Sequence, residues 1–191
     1  MIWLVRHGQT AFNAEGRIQG AKDSPLTPLG EEQGRRLGEL LGRIAPKDAR
    51  LIASPLGRTQ HTARIIREHG GFASPVETDA RLAEISLGAW DGMLKDDIRE
   101  RIPDYDAGPN RWSWFFNAPG GDTWDALNAR LTSWLDDTRA AGPVIAISHG
   151  VSGRLLRGLF ASLPRDQTLK LDIPQDACFH LRDGRIDRID C

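Results

Sequence analysis

The chain has 191 residues, which is enough for one domain with a sizeable core, and we predict a single domain over residues 1–191. Its 25 basic and 26 acidic residues give a net charge of -1, which predicts no nucleic-acid and no membrane partner. It has two cysteines, Cys178 and Cys191, and no apolar stretch approaches the roughly 20 residues of a membrane helix. The first apolar run is short and lacks a basic leader, so we expect no signal peptide and a cytoplasmic location.

Strand signals along the chain are short, apolar and rich in β-branched residues. They occur over residues 2–6, 51–54, 144–148, 177–181 and 185–189. The pair Asp183-Gly184 lies between the last two segments and is a strong hairpin signal.

Helix signals fall between these strands. Thr27-Pro28 is typical of an N-cap followed by the first helical residue, and Ser54-Pro55 repeats that pattern. Asp122 is expected to cap a third helix, and a fourth should follow His149-Gly150. Apolar residues at helical spacing predict the buried faces, in chain order Leu37, Leu40, Leu41 and Ile44; Ala63 and Ile66; Trp124, Leu127, Leu131, Trp134 and Leu135; Leu155, Leu156 and Leu159. This alternation predicts a three-layer α/β fold with a mostly parallel central sheet and helices on both faces.

The stretch from about residue 93 to residue 121 breaks the alternation. It contains three prolines, several glycines and the aromatic cluster Trp112–Phe116. Insertions of this length in a compact domain are usually functional or disordered, and the aromatic residues argue against disorder. We therefore predict a lid, in which Trp112 and Trp114 either line a substrate pocket or pack the lid onto the sheet.

Two of the predicted strands each end in a His-Gly pair. Arg6-His7-Gly8 follows the first strand, and Ser148-His149-Gly150 ends the strand at residues 144–148. Open α/β sheets bind their ligands at the carboxyl ends of the strands, so we expect both histidines at one site. A histidine beside an arginine, on a turn loosened by glycine, can hold an anion and attack it. The pattern therefore predicts phosphate chemistry with a histidine nucleophile.

Further short motifs follow in a fixed order over residues 1 to about 160. They are Gln9-Thr10 with Asn13, Gly16-Arg17 and Gln19-Gly20; Ser54-Pro55-Leu56 with Arg58-Thr59; Arg81-Leu82-Ala83-Glu84 with Gly88 and Trp90; Pro119-Gly120-Gly121; and Ser148-His149-Gly150. The ordered set resembles the histidine phosphatase superfamily, also called the phosphoglycerate-mutase-like family. The resemblance implies an α/β domain that transfers phosphoryl groups through a covalent phosphohistidine.

The resemblance implies that His7 is the nucleophile and that Arg6 and Arg58 hold the phosphate. Imidazole attacks phosphorus only as the neutral ring, and neighbouring arginines disfavour the protonated form. A guanidinium group matches two phosphate oxygens and keeps its charge. Considered alone, Arg58 would more often be a surface arginine in an ion pair, but the resemblance of its Ser-Pro-Leu-x-Arg-Thr context to the family implies a place in the phosphate site.

His149 is the second pocket histidine that the resemblance implies, with hydrogen bonds to the phosphoryl oxygens. Gly150 follows at a helix start, where backbone N–H groups and the helix dipole favour an anion. Glu84 is implied as the general acid for the leaving alkoxide and then as the base for water, so its carboxyl has to hold a proton first. Asp122 stands where the family commonly has Glu; it is an alternative acid or a helix cap, and we favour the cap.

Asn13 and Gln19 are expected to face the phosphate or the leaving group, although turn chemistry would also explain Asn13. Arg17 fits an outer pocket contact and a solvated loop equally well. No Cys/His cluster has zinc spacing. Two arginines, a histidine and a helix terminus can replace a metal in phosphoryl transfer, so we predict neither a metal nor a cofactor.

Hydrolysis and phosphoryl transfer are both compatible with these residues. Family mutases of the cofactor-dependent type are longer and carry extra basic segments, whereas Arg111 is the only cation expected near this aromatic lid. We therefore expect a metal-independent phosphate monoester hydrolase that acts on a small phosphorylated metabolite. A phosphoglycerate mutase and an inactive phosphate-binding protein are the alternatives, and the sequence leaves open both the substrate and whether the chain forms a homodimer.

Overall fold

The computed structural model describes residues 1–102, 111–139 and 141–191. In these ranges the strands are β1 Ile2–Arg6, β2 Arg50–Ala53, β3 Val76–Thr78, β4 Val144–Ser148, β5 Ala177–Arg182 and β6 Arg185–Asp190. The α-helices there are α1 Ala11–Ala14, α2 Pro28–Ile44, α3 Gly57–Gly70, α4 Lys95–Arg99, α5 Trp124–Arg139, α6 Gly150–Phe160 and α7 Arg165–Thr168. None of the helices in the described ranges has the length and apolar character to cross a membrane.

The strands form one mixed sheet in the order β3-β2-β4-β1-β5-β6. The four strands from β3 to β1 pair in parallel, whereas β5 is antiparallel to β1 and β6 is antiparallel to β5. In the register of β1 against β4, Arg6 lies opposite Ser148, and the backbone N–H of His7 donates to Ser148 O at 3.1 Å. His7 and His149 therefore leave the sheet side by side at its carboxyl edge.

Helices cover both faces of the sheet, and alternate residues of each strand belong to two separate cores. Val5 shares one core with Leu37 of α2. Leu4 shares the other core with Trp134 of α5 and Leu155 of α6. This division follows from the two-residue period of a strand, which sends neighbouring side chains to opposite faces. The predicted three-layer α/β fold with a mostly parallel sheet is confirmed.

The predicted start of α2 is confirmed, but the predicted cap of α3 is wrong. Thr27 accepts a hydrogen bond within the first turn of α2, and Pro28 is the first residue of that helix. Ser54 does not cap α3, which begins at Gly57. The Ser54 hydroxyl instead hydrogen-bonds the ring of His149 at 2.8 Å. Ser54 follows directly after β2, so its side chain lies at the same edge of the sheet as the two histidines.

The predicted cap of α5 is also wrong. Thr123 Oγ1 accepts the hydrogen bond from Ala126 N at 3.2 Å and is therefore the capping side chain. Asp122 Oδ2 accepts from Ser86 N at 2.9 Å. Asp122 thus ties the start of α5 to the segment that follows Glu84.

Two smaller differences concern an edge strand and a helix end. Strand β3 was not predicted, because it has three residues and lies half-exposed at the sheet edge, so it lacks an apolar alternation. Ile44, which was placed on the apolar face of α2, is 38% exposed at the last residue of that helix.

The predicted lid over residues 93–121 is described in part, because residues 103–110 lie outside the described ranges. Its described part contains α4 and a 3-10 turn that carries aromatic residues. The ring of Trp114 lies 6.2 Å from Trp90 and edge-on to Phe115 at 5.5 Å. Both Trp114 and Phe115 also line the cavity described below. The two roles that the sequence left open, packing and pocket lining, therefore fall on the same aromatic segment.

The first turn of α2 packs directly on the loop that carries His7. A Cβ atom at Gly8 would lie 2.2 Å from Gly30 O, and one at Gly30 would lie 2.0 Å from Gln9 O. Thr27 N donates to that same Gln9 oxygen at 2.9 Å, so the loop is held against the helix start. These backbone groups have no flexible side chain that could move aside, and both positions require glycine.

We predict that Gly30→Ala lowers the free energy of unfolding by about 1–3 kcal/mol, because the added methyl overlaps fixed backbone. Urea unfolding followed by circular dichroism measures this. The control is Gly153→Ala in α6, whose Cβ would meet only Leu4 Cδ2 at an ordinary 3.9 Å. This control should gain about 0.5–1 kcal/mol from helix propensity. Stabilisation of both variants would contradict the close contact.

Candidate active site

A cavity of about 550 Å³ lies at the carboxyl ends of β1 and β4. The predicted site residues on its wall are Arg6, His7, Asn13, Gln19, Arg58, Glu84 and Gly150. Arg17 and the lid residues Trp112, Trp114 and Phe115 also line it. Among the described residues, the predicted set is therefore assembled around one cavity, while His149 lies behind His7.

The tautomer of His7 is fixed by its two ring contacts. Nδ1 lies 2.8 Å from Gly8 O, and a carbonyl oxygen can only accept a hydrogen bond. Nδ1 therefore carries the proton, which leaves the lone pair on Nε2. Arg58 Nε donates to Nε2 at 3.3 Å, as an unprotonated nitrogen requires. Nε2 therefore carries the lone pair that would attack phosphorus, once the hydrogen bond from Arg58 is released.

Both site histidines are neutral near pH 7. Burial is the largest cause that lowers the pKa of His7 well below its ordinary value, and the charges of Arg6 and Arg58 lower it further. Burial also lowers the pKa of His149 well below the ordinary value, followed by the effect of Arg58. Burial therefore lowers the pKa of His7 more than the neighbouring arginines, the one cause visible in the sequence, do.

Arg58 is held by hydrogen bonds to the loop that follows α1. Its Nη1 donates to Lys22 O at 2.7 Å and to Asp23 Oδ1 at 2.9 Å, and its Nη2 donates to Gly20 O at 2.9 Å. The side chain is 1% exposed. Arg58 is therefore not a surface arginine, and its ion pair with Asp23 orients the guanidinium group beside His7.

Arg6 lies at the end of β1, is half-buried and is the second cation of the site. Its Nη1 donates to Ile173 O at 2.8 Å, whereas its buried Nε has no hydrogen-bond partner in the described ranges. Burial lowers the pKa of Arg6 to about 10, while the charge of Glu84 opposes that shift. Arg6 therefore remains a cation at neutral pH and has donor capacity left for a ligand.

His149 lies directly behind the nucleophile candidate. The ring centroids of His149 and His7 are 5.2 Å apart in an edge-on arrangement. His149 Nε2 contacts Ser54 Oγ at 2.8 Å, and its buried Nδ1 has no partner among the residues described. One nitrogen of this ring thus contacts the residue that follows β2, and the other has no hydrogen-bond partner among the described residues.

Glu84 occupies the amino end of α6. Its Oε2 accepts from Val151 N at 3.0 Å, and its Oε1 accepts from Ser152 N at 2.9 Å and from Ser152 Oγ at 3.0 Å. Ile85 N adds a further hydrogen bond to Oε1 at 3.1 Å. The sequence placed the substrate phosphate at this helix start, next to Gly150. In the structure these N–H groups instead hold the carboxylate on the cavity wall.

Asn13 and Gln19 reach the cavity, and a third amide that the sequence did not indicate joins them. Gln175 Nε2 donates to His7 O at 3.0 Å and to Asn13 Oδ1 at 3.2 Å. Gln19 Nε2 donates to Thr10 Oγ1, while its buried Oε1 is unpaired within the described part of the chain. Gln175 has no motif, but β5 is antiparallel to β1, so the residues just before β5 must lie near the end of β1.

The cavity wall is more cationic than expected. Lys95 and Arg154 line it together with Arg17 and Arg111, so the expectation that Arg111 is the only cation near the lid is wrong. Lys95 begins α4 within the predicted lid, and Arg154 lies in α6. Of the described wall residues, Glu84 is the one acid. Asp122, the alternative acid, is absent from the described wall.

No group of three or more His, Cys, Asp or Glu side chains in the described ranges could hold a metal ion. Cys178 is buried and Cys191 is exposed, and both are free. Burial raises the pKa of the Cys178 thiol to about 12, so this thiol is not a reactive thiolate at neutral pH.

Comparison with known proteins gives the family. The sequence profile of the histidine phosphatase superfamily (branch 1) matches residues 2–184. The chain therefore belongs to this superfamily. A curated relative, the probable phosphoglycerate mutase GpmB of Salmonella paratyphi C, is 33% identical over 193 residues, covering 99% of this chain and 84% of the relative.

Solved structures agree with this membership. Bacillus stearothermophilus YhfR is 31% identical with a TM-score of 0.80, over 99% of this chain and 95% of that chain. The mycobacterial glucosyl-3-phosphoglycerate phosphatase in complex with VO3 is 27% identical with a TM-score of 0.76, over 99% and 96% of the two chains. These relatives thus include one phosphatase and one probable mutase by name.

We predict that the free energy of unfolding decreases when the pH is lowered from about 7.5 to about 5.5. In the unfolded chain His7 and His149 bind protons near their ordinary pKa of 6.5, whereas their lowered pKa values keep them neutral in the folded protein. The unfolded state therefore binds more protons below about pH 6.5, and stability is lost in that direction.

Urea unfolding at the two pH values measures this loss. The double variant His7→Asn with His149→Gln should lose less stability than the wild type, because it lacks both rings. The exposed His69 supplies the control, and His69→Gln should keep the wild-type pH dependence. An identical loss in the wild type and the double variant would refute the assignment.

Proposed function

We propose that the protein hydrolyses phosphate monoesters through a covalent phosphohistidine on His7, without a metal ion. The observation that carries this proposal is the neutral His7 ring, whose Nδ1 proton is held by Gly8 O and whose Nε2 lies 3.3 Å from Arg58 Nε. A fixed nitrogen lone pair beside two guanidinium groups suits attack on an anionic phosphorus centre.

In the first step, the Nε2 lone pair of His7 bonds to phosphorus and the ester P–O bond breaks. The bonding electrons leave on the alkoxide oxygen, which takes a proton from Glu84. Arg6 and Arg58 offset the charge of the phosphoryl oxygens. The products of this step are the alcohol and phosphohistidine.

In the second step, a water oxygen attacks phosphorus and the P–N bond breaks. The electron pair returns to Nε2, and the carboxylate of Glu84 takes the proton of the water. Glu84 lies at the start of α6, so the group that donates the first proton is in place to accept the second. Phosphoryl transfer depends mainly on positioning and on charge stabilisation, which the arginines provide here.

The substrate is a small phosphorylated metabolite in this proposal. The cavity of about 550 Å³ is within the range of small-molecule sites, and its aromatic wall supports an organic leaving group. Similarity to a glucosyl-3-phosphoglycerate phosphatase supports the hydrolytic reaction. The two free cysteines support the cytoplasm as the compartment.

A phosphoglycerate mutase is the second candidate, because the chain is 33% identical to a probable phosphoglycerate mutase and the wall contains Lys95 and Arg154. The two reactions share the phosphohistidine and differ in what accepts its phosphate. Discharge of the labelled enzyme to water supports the phosphatase. Discharge to monophosphoglycerate without net release of phosphate supports the mutase.

We predict that His7→Ala abolishes turnover of p-nitrophenyl phosphate and prevents covalent labelling, because the attacking nitrogen is absent. Rapid acid-free quenching after mixing with ³²P-labelled substrate, followed by tests of stability in acid and alkali, measures the label. The wild type should carry acid-labile, alkali-stable phosphate, and excess chelator should change neither its labelling nor its turnover.

The control variant His69→Ala should label as the wild type does, because His69 is exposed on α3. Alkali-stable labelling of the His7 variant would remove His7 from the role of nucleophile. Loss of wild-type activity in chelator would contradict the metal-independent mechanism.

We predict that Glu84→Gln depends on the leaving group. General acid–base catalysis is typically worth about 10²–10⁴-fold, and a basic alkoxide needs the proton whereas nitrophenolate leaves without it. In single-turnover kinetics, the phosphorylation step should therefore slow far more for an alkyl phosphate than for p-nitrophenyl phosphate.

The matched control is Asp122→Asn, the neighbouring carboxyl, which hydrogen-bonds Ser86 N. Its effect should be similar for both esters, because Asp122 acts on the backbone rather than on the leaving group. Equal slowing of both esters by Glu84→Gln would show that Glu84 does not donate the proton.

A further inference from the structure

Arg154 is a buried arginine on the cavity wall that the proposed chemistry does not use. The residue is 8% exposed and lines the cavity. Its Nε is buried without a hydrogen-bond partner among the described residues. Burying a guanidinium nitrogen without a hydrogen-bond acceptor is costly, and an anionic ligand in the cavity would supply that acceptor.

Arg157, three residues further along α6, shows how this helix satisfies a buried arginine that is structural. Arg157 Nη1 donates to Asp172 Oδ1 at 2.9 Å, and its guanidinium group lies over the ring of Phe179 at 3.8 Å. The second oxygen of Asp172 accepts from Arg188 at 2.5 Å. Both oxygens of Asp172 therefore accept hydrogen bonds from Arg157 and Arg188. Arg154 has no such bond to Asp172 and lines the cavity.

Helix geometry places Arg154 beside Glu84. Residues four apart lie on one face of a helix, so Arg154 shares the face of Gly150. A Cβ at Gly150 would lie 3.7 Å from both Arg6 Nε and Glu84 Oε2. Helical side chains lean toward the amino end, so the long side chain of Arg154 reaches back toward this point.

Electrostatic effects agree with this position. The charge of Arg154 lowers the pKa of Arg6, and the charge of Glu84 raises the pKa of Arg154 against the effect of burial. Arg154 is not among the charges that shift the pKa of His7 or His149. Arg154 therefore lies close to both Glu84 and Arg6, on the side of the cavity where the proposed proton donor would meet the leaving group.

We propose that Arg154 is a specificity-determining residue that binds a second anionic group, a carboxylate or a phosphate, on the leaving-group part of the substrate. This inference rests on the proposed function of the same site. It requires a substrate with two separate anionic groups, one transferred to His7 and one retained by the alcohol product.

Matched substrate pairs test the inference. 3-Phosphoglycerate and glycerol 3-phosphate differ by a carboxylate in place of an alcohol, and fructose 1,6-bisphosphate adds a phosphate to fructose 6-phosphate. The wild type should have a higher kcat/KM for the doubly anionic member of at least one pair, and the pair identifies the carboxylate or the phosphate. Arg154→Met should lower that kcat/KM about 10- to 100-fold, the value of one charge-assisted hydrogen bond. For the singly anionic member the change should stay below about threefold.

Arg154→Lys is the conservative control and should retain part of the preference, because it keeps the charge. Thermal unfolding separates ligand binding from a structural role, because the two roles predict changes of Tm in opposite directions. Arg154→Met should raise Tm by removing an unpaired buried charge, whereas Arg157→Met should lower Tm by breaking the pair with Asp172. The preferred anion should raise Tm of the wild type more than that of Arg154→Met.

Equal losses on both members of the preferred pair would overturn the inference and assign Arg154 to the transferred phosphate. A wild type without preference in either pair, or a lower Tm for Arg154→Met, would overturn it as well. These outcomes are separable from failure of the proposed function. That function is tested separately, by formation of a phosphoenzyme on His7 with p-nitrophenyl phosphate and by release of its phosphate to water.

Discussion

The hydrogen bond from His7 Nδ1 to Gly8 O is the constraint on which the rest of the site depends. It assigns the ring proton to one nitrogen and the lone pair to the other, so the chemistry follows from backbone geometry. The backbone of this loop is fixed in turn, because Gly8 and Gly30 allow α2 to pack against it at a distance that no other residue tolerates. Parallel pairing of β1 with β4 then places His149 beside His7. A contact between two backbone segments, the loop after β1 and the start of α2, thereby sets the orientation of His7.

Charge is the second organising feature. Arg58 is buried and Arg6 half-buried next to neutral histidines, and desolvation lowers the pKa of both arginines and of His7. Glu84 is the acid on the described wall, and α6 holds it with N–H groups that a helix start would otherwise offer to a ligand. The site therefore combines a fixed carboxyl with excess positive charge. This arrangement favours an anion over a neutral molecule.

The sequence predicted the fold and most of the wall because these depend on local patterns. Strands, the Thr27 cap and the His-Gly pairs are encoded by neighbouring residues. Ser54 and Asp122 were both read as helix caps because a short polar residue before a helix usually serves there. In the structure each bonds to a group far away in sequence. Gln175, Lys95 and Arg154 carry no motif, and only the order and direction of β5, α4 and α6 bring them to the cavity.

Identification of the phosphorylated atom tests the account most directly. The enzyme can be trapped with its phosphoryl group during turnover of p-nitrophenyl phosphate, and ³¹P–¹⁵N NMR on ¹⁵N-histidine-labelled protein distinguishes the two ring nitrogens. The account predicts one phosphohistidine, at residue 7 and on Nε2, because Nδ1 holds its proton against Gly8 O. Phosphate on Nδ1, or on any residue other than His7, would contradict it.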